Sequence, residues 1–315
     1  MKRKKIRKSI KILLIIFIII FVGVFFYNRK KLSNNKSNPV SIKQNEYDKL
    51  GYSKKEQEYI KKLSLNNQNK IKNIHYINIK NYYNIKNFNV DNYNRYEDYK
   101  NRHKDYSYQK IVTMVNIKND LTPYTNTNEV KDPNDILVLV NKYNYLPLGY
   151  KPNNLTYVDG AYGNKVPMQK IIVNDFIELQ KKAKEESMNL MPTTAFRDYN
   201  FQKNLYTKYS QKNGTKMADT YSARPGFSEH QTGLAIDLKN TNLKNIRLTE
   251  DNYNWLYNNA YKYGFIIRYE KGKENITGYQ FENWHIRYVG KKHAKIIYDN
   301  NLTLEEYIDL YINNY

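Results

Sequence analysis

The sequence predicts an α+β fold, an antiparallel sheet flanked by helices and preceded by one membrane-spanning helix. Three observations carry the prediction. β-Branched runs of strand length alternate with capped, amphipathic segments, yet without the regular rhythm of a βαβ chain. No glycine-rich phosphate loop opens any of the helical segments. A single long apolar run stands close to the N-terminus.

That run is Ile12 to Tyr27; extended back to Ile10 it covers residues 10–27, about 27 Å of helix at ~1.5 Å per residue. Seven basic residues precede Ile12 and four follow by Lys36, so residues 1–9 form a basic tail on the cytoplasmic side and the remainder lies outside. The run ends in Phe25, Phe26 and Tyr27 rather than the small residues of a signal-peptidase site, which favours an uncleaved anchor. Residues 28–45, polar and containing Pro39, read as a linker. Residues 46–110 carry weak helical patterns, such as Tyr59, Ile60 and Leu63, and read as a helical accessory region.

A domain from 111 to 315 follows. Ile111–Val115 and Ile136–Val140 have the composition and length of strands. Residues 174–188 read as a helix with Asn174 as its N-cap and Phe176, Leu179 and Ala183 on one face. Asp198 caps a second helix bearing Phe201, Leu205 and Tyr209, which Gly214 ends. Gly233–Leu238 is a strand with Leu234, Ile236 and Leu238 on one face and Ala235 and Asp237 on the other. Thr249 opens a helix that Gly264 stops, Phe265–Tyr269 and His285–Val289 are strands, and Thr303 with Glu306 forms a capping box for the last helix.

The absence of cysteine excludes disulfides, thiolate metal sites and cysteine nucleophiles. The net charge of +22 looks like a nucleic-acid signal until it is located: half of it comes from eleven basic residues in 1–36. The rest is diffuse and mixed with acids, a solvated basic surface with no nucleic-acid partner implied. The richness in Lys, Asn, Ile and Tyr reads as nucleotide bias. Nothing in the sequence sets an oligomeric state.

The chemistry concentrates in two stretches, Ser228-Glu229-His230-Gln231-Thr232-Gly233-Leu234-Ala235-Ile236-Asp237 and Glu282-Asn283-Trp284-His285. They offer two imidazoles, one carboxylate ligand and one spare carboxylate, the inventory of a catalytic zinc site with an open position and a base beside it. On a straight helix His230 and Asp237 would lie about 10 Å apart along the axis, too far for one ion. The chain must therefore turn between them, and Gly233 is the hinge, with Ala235 leaving room on the ligand face. Glu282 and His285 converge only if the chain between them is tightly turned. Taken singly, His230 is compatible with an ordinary turn histidine, Asp237 with a cap, and a Glu-x-x-His pair with chance. His75, His103 and His293 lack such partners.

These residues resemble those of the VanY-type D-alanyl-D-alanine carboxypeptidases. Residues 223–237 are similar to that family's Ser-x-His-x-x-Gly-x-Ala-x-Asp signature, Glu282–Gly290 to its Glu-Pro-Trp-His-x-Arg-Tyr-Val-Gly segment, and Ala195–Gln202 to its Tyr-Arg-Ser-x-x-x-Gln segment. The likeness covers roughly residues 135–300, in a group that includes VanX dipeptidases, phage L-alanyl-D-glutamate endopeptidases and the hedgehog signalling domain. The resemblance implies a hedgehog/DD-peptidase-like fold with zinc on His230, Asp237 and His285. It implies Glu282 as the group that activates water and Arg197 as the holder of the scissile carbonyl oxygen. Gln202 and Ser228 would bind the peptide or its terminal carboxylate, and Trp284 would wall the site. Asn283 stands where the family has Pro, which would loosen the turn holding Glu282, and Phe196 where it has Tyr.

The expected function is a membrane-anchored, extracellular zinc carboxypeptidase removing the terminal D-Ala from peptidoglycan stem peptides. An L,D-carboxypeptidase or endopeptidase of the same fold is the alternative within the chemistry. A catalytically silent wall-binding module is the alternative outside it, and one that would need neither Glu282 nor Arg197.

Overall fold

The computed structural model describes residues 44–71, 75–243 and 247–313. The apolar run at 10–27 and nearly all of the expected linker lie outside the described residues, among which no helix is long and apolar enough to cross a membrane. The described residues divide into two compact units, one up to Lys80 and the other from Asn81 onward.

The first unit contains three short helices, α1 (Gln44–Lys49), α2 (Lys54–Ile60) and α3 (Leu65–Lys70). Ser53 and Ser64 cap the second and third by accepting from backbone N–H groups three residues on, and Glu56 completes a capping box with Ser53. Tyr47, Tyr52, Ile60, Leu63, Ile71 and Ile79 are buried in this unit.

The second unit begins with α4 (Tyr93–Arg102) and α5 (Tyr108–Asn116). Here the sequence expectation fails: Ile111–Val115 is not a strand but the centre of α5. Ser107 caps the helix, and Ile111, Val112, Thr113, Met114 and Val115 are all buried. A helix buried on every side loses its 3.6-residue pattern and reads like a core strand. The compact unit also starts at 81 rather than 111, so the expected accessory region at 46–110 is divided between the two units. α4 and α5 are tied into the larger one by Arg95, which forks onto Asp120 at 2.6 and 2.8 Å, and by Asn116, which donates to Asp309 at 2.9 Å. Asn87 bonds the same Asp309.

Two small ribbons follow, β1 (Asn128–Glu129) with β2 (Asn144–Tyr145), and the hairpin β3 (Leu155–Asp159) with β4 (Lys165–Gln169). Ile136–Val140, expected as a strand, joins no ladder. Its carbonyls serve a side chain instead: Arg287 Nη2 donates to Ile136 O at 3.0 Å and to Val138 O at 2.8 Å. Helix α6 (Lys170–Glu185) starts directly out of β4, with Gln169 at the N-cap and no side-chain cap bond. Asn174 is therefore inside the helix and not its cap, while Ile172, Phe176, Leu179 and Ala183 form the buried face.

The central sheet is built from β5 (Leu190–Thr194), β6 (Ala235–Asn240), β7 (Phe265–Ile267) and β8 (His285–Tyr288), in the order β5-β6-β8-β7 with every pair antiparallel. β6, β7 and β8 fall at the expected places with ends shifted by at most two residues, whereas β5 was not anticipated. Ile236 and Leu238 are buried on one face of β6 and, with Leu234 just before it, join Phe176, Leu179, Leu256, Phe265 and Ile286 in the main core. Helix α7 (Tyr199–Asn213) is capped by Asp198, which accepts from Phe201 N at 2.7 Å, and ends at Gly214. α9 (Glu250–Asn259) carries the Thr249 cap, and α12 (Leu304–Tyr307) the Thr303–Glu306 box. Between these lie the short α8 (Thr215–Ala218) and α10 (Glu274–Thr277), and α11 (Lys291–Asp299).

Candidate active site

The site grows from the register of two neighbouring strands. Asp237 on β6 lies directly opposite His285 on β8, so their side chains emerge together on one face of the sheet. His230 reaches the same point from the preceding segment, a single 3₁₀ turn over Glu229–Thr232 that ends at Gly233 with φ +69°. That left-handed conformation suits glycine. It folds the chain back so that residues seven apart in sequence share one centre. His230 Nε2 and His285 Nδ1 each stand 3.4 Å from Asp237 Oδ1. Three donors, one from each residue, lie within 4.8 Å of one another.

These residues fit a metal. His230 Nε2 and Asp237 Oδ1 are buried and have no hydrogen-bond partner, a costly condition unless something else fills it. The two 3.4 Å spacings to Asp237 Oδ1 match the edge of a tetrahedron with bonds of about 2.1 Å. The opposite ring nitrogens are fixed by outer partners. His230 Nδ1 meets Ala195 O at 2.7 Å, and His285 Nε2 meets Glu229 Oε1 at 2.8 Å.

Electrostatics prepare the donors. Burial and then the Arg197 charge push His230 below its ordinary pKa, leaving a neutral imidazole. Burial would raise Asp237, but His230, His285 and Arg197 outweigh it and keep the carboxylate ionised. Burial would lower His285, yet hydrogen bonds to Glu229 and Glu282 push it up to about 10. A metal at this site therefore has to displace a proton from His285.

The remaining expected residues surround this centre. Glu282 Oε2 lies 3.1 Å from His285 Nδ1, and burial pushes the Glu282 carboxyl above its ordinary pKa. Arg197 Nη2 lies 3.5 Å from Asp237 Oδ2, and Arg197 Nε is buried without a partner. Arg197, Gln202, Ser228, Glu282 and Trp284 line one cavity of about 380 Å³ with the three ligand residues. Gln202 donates to Ala223 O at 2.7 Å while its Oε1 is buried and unpaired. Trp284 is 42% exposed at the rim. Asn283, expected to loosen the turn, ties it: its amide donates to Leu248 O at 3.1 Å. Glu282 N bonds Tyr269 O at 3.0 Å. His75, His103 and His293 lie elsewhere, packed against tyrosines.

The comparisons with known proteins point to one family. The family profile of VanY, described as D-alanyl-D-alanine carboxypeptidase, matches residues 165–291. The chain is 40% identical over 201 residues to a putative carboxypeptidase, YodJ, of Bacillus subtilis (strain 168), covering 61% of this chain and 73% of that protein. The chain belongs to the VanY family. It is also 36% identical over 151 residues to a D-alanyl-D-alanine carboxypeptidase of Enterococcus faecium, a match spanning 48% of this chain and 46% of that protein. Among solved structures it resembles the LdcB LD-carboxypeptidase at 39% identity and a TM-score of 0.55, covering 59% of this chain and 91% of that one. Proteins of this family are zinc metallopeptidases, so the chain is an enzyme with the donor triad of one.

Sequence reasoning missed what stands behind the triad. Glu229, Arg268, Arg287 and Glu305 are fully buried and joined to one another. Glu229 and Arg287 lie inside the two recognised motifs, but a charged residue in a motif reads as a solvent or substrate group. The one available signal was the spacing on β8, where Arg287 must share the face of His285.

Proposed function

We propose that this chain is a zinc-dependent D-alanyl-D-alanine carboxypeptidase, held by an N-terminal helix on the outer side of a membrane, that trims peptidoglycan stem peptides. The observation that carries the reading is the convergence in one cavity of three metal donors, a buried carboxyl and a guanidinium. Zinc on His230, Asp237 and His285 would act as a Lewis acid and bring water into the ionisable range. Glu282 takes a proton from the attacking water as oxygen bonds to the scissile carbon. It returns that proton to the amine as the C–N bond breaks, a transfer suited to a carboxyl whose pKa burial has raised. Arg197 meets the carbonyl oxygen as it becomes negative, a fixed charge in a site sheltered from water. Ser228 would bind the terminal carboxylate, Gln202 would accept a peptide N–H at its unpaired Oε1, and Trp284 would wall the cleft.

Release of the last residue from a tetrapeptide, an L,D activity, is the second reading, favoured by the likeness to the LdcB LD-carboxypeptidase. Synthetic penta- and tetrapeptides incubated with the zinc-loaded protein and read by mass spectrometry test both. Loss of one alanine from the pentapeptide alone is expected. Shortening of the tetrapeptide alone replaces the first reading by the second. Binding of intact wall with neither peptide shortened leaves a silent module.

A further inference from the structure

We infer that Glu229 is the positioning residue of the metal centre: its carboxylate selects which nitrogen of His285 faces the metal. The inference rests on reading His230, Asp237 and His285 as metal ligands. Glu229 divides its two oxygens between two tasks. Oε1 faces His285 Nε2 at 2.8 Å, and Oε2 accepts from Arg268 Nε at 2.9 Å and from Arg287 Nη1 at 3.1 Å. Arg268 forks onward to Glu305 at 2.7 and 2.9 Å, and Arg287 is held by the Ile136 and Val138 carbonyls. The carboxylate thus has no freedom to turn away from the ring.

Its consequence is a choice of tautomer. With the Nε2 proton given to Glu229, His285 presents Nδ1 toward Asp237. His230 does the reverse, giving Nδ1–H to the neutral Ala195 carbonyl and presenting Nε2. A charged acceptor makes its imidazole the stronger donor, so the two histidines are unequal ligands, and the inequality is set by Glu229. Burying four charges is expensive and gives little stability in itself. Among the described residues, Glu229 is the member of the four that touches a ligand ring.

Zinc affinity of the full chain, measured by competition with a chromophoric chelator, tests the assignment. Glu229→Gln is expected to weaken zinc binding 10–100-fold. Leu256→Ala, a truncation in the main core, is the control for lost stability and is expected to stay within about threefold of the parent once both melts are recorded without metal. Equal weakening in both variants, or none in Glu229→Gln, overturns the inference. Should Glu229→Gln fail to fold, the long-range ¹H–¹⁵N spectrum of the parent protein with zinc decides. His285 protonated at Nε2 and metallated at Nδ1, with His230 the opposite, upholds the inference; zinc on His285 Nε2 overturns it. A parent protein that binds no zinc removes the metal-centre reading, and this inference with it, while equal peptide trimming with and without chelator removes the metal alone from the proposed function.

Discussion

The two motif segments meet at one point but do different work. The segment 228–237 is a turn and a strand start, contributing two donors, one of them held by a plain backbone carbonyl. The segment 282–285 contributes one donor and the nearby carboxyl, and is braced by tethers at Glu282 N and at the Asn283 side chain. On the proposed mechanism the first segment builds the metal site, whereas the second joins that site to proton transfer. That difference predicts that the same kind of lesion in the two segments should produce different kinds of loss.

The largest effect belongs to the first segment. Asp237→Ala removes the shared oxygen that both histidines face, and is expected to abolish both stoichiometric zinc and turnover, read by metal analysis and peptide release. A variant that kept its zinc would show that the two histidines suffice and would erase the contrast. In the second segment, Glu282→Gln is expected to keep zinc while lowering kcat by about 10²–10⁴. Loss of zinc from this variant, or undiminished activity, would mean that the segments are not divided in this way.

How far this was visible beforehand differs between the segments too. Gly233 announced the turn, because few residues other than glycine tolerate a left-handed φ. Asp198, Thr249 and Thr303 announced helix starts through their side-chain oxygens. The support behind His285 was not legible, since it is made by contacts between Glu229, Arg268, Arg287 and Glu305, far apart in sequence. Ile111–Val115 misled because total burial erases periodicity, and Ile136–Val140 because an extended apolar run can bond a guanidinium in place of a strand. Local backbone rules carry the turn; long-range pairing carries the brace.

Arg197 sits between the two segments, against Asp237 but open to the cavity. Arg197→Lys keeps the charge and loses the planar fork. A fall in kcat of about 10²–10³ with KM changed far less is expected if its role is at the developing oxyanion. A change confined to KM would move Arg197 to ground-state binding, and would leave the second segment alone responsible for the chemistry.

The smallest effect on activity, none, is expected at a half-buried carboxyl away from the triad, Glu270. Glu229 is held below the carboxylate range: burial opposes ionisation, but Arg268, Arg287 and His285 outweigh it. Glu270 has no such company. It lies among Tyr257, Tyr261, Phe265, Ile297 and Tyr298, and burial pushes it up to about 7, with Lys273 opposing and Glu306 adding to the rise. A carboxyl whose folded pKa exceeds its unfolded value of 4.5 binds more protons folded than unfolded between those two values. Its contribution is thus fully present below pH 4.5 and is lost as the pH rises through about 7. The difference amounts to about 3 kcal/mol at ~1.4 kcal/mol per unit. Glu270→Gln removes this titration, so the gap in unfolding free energy between variant and parent should shift in favour of the variant from pH 4.5 to 8, with turnover unchanged. Denaturant unfolding of both proteins at the two pH values measures it. A gap that stays constant would show that Glu270 ionises freely, and that a half-buried carboxyl among these aromatic rings needs no arginine to stay charged.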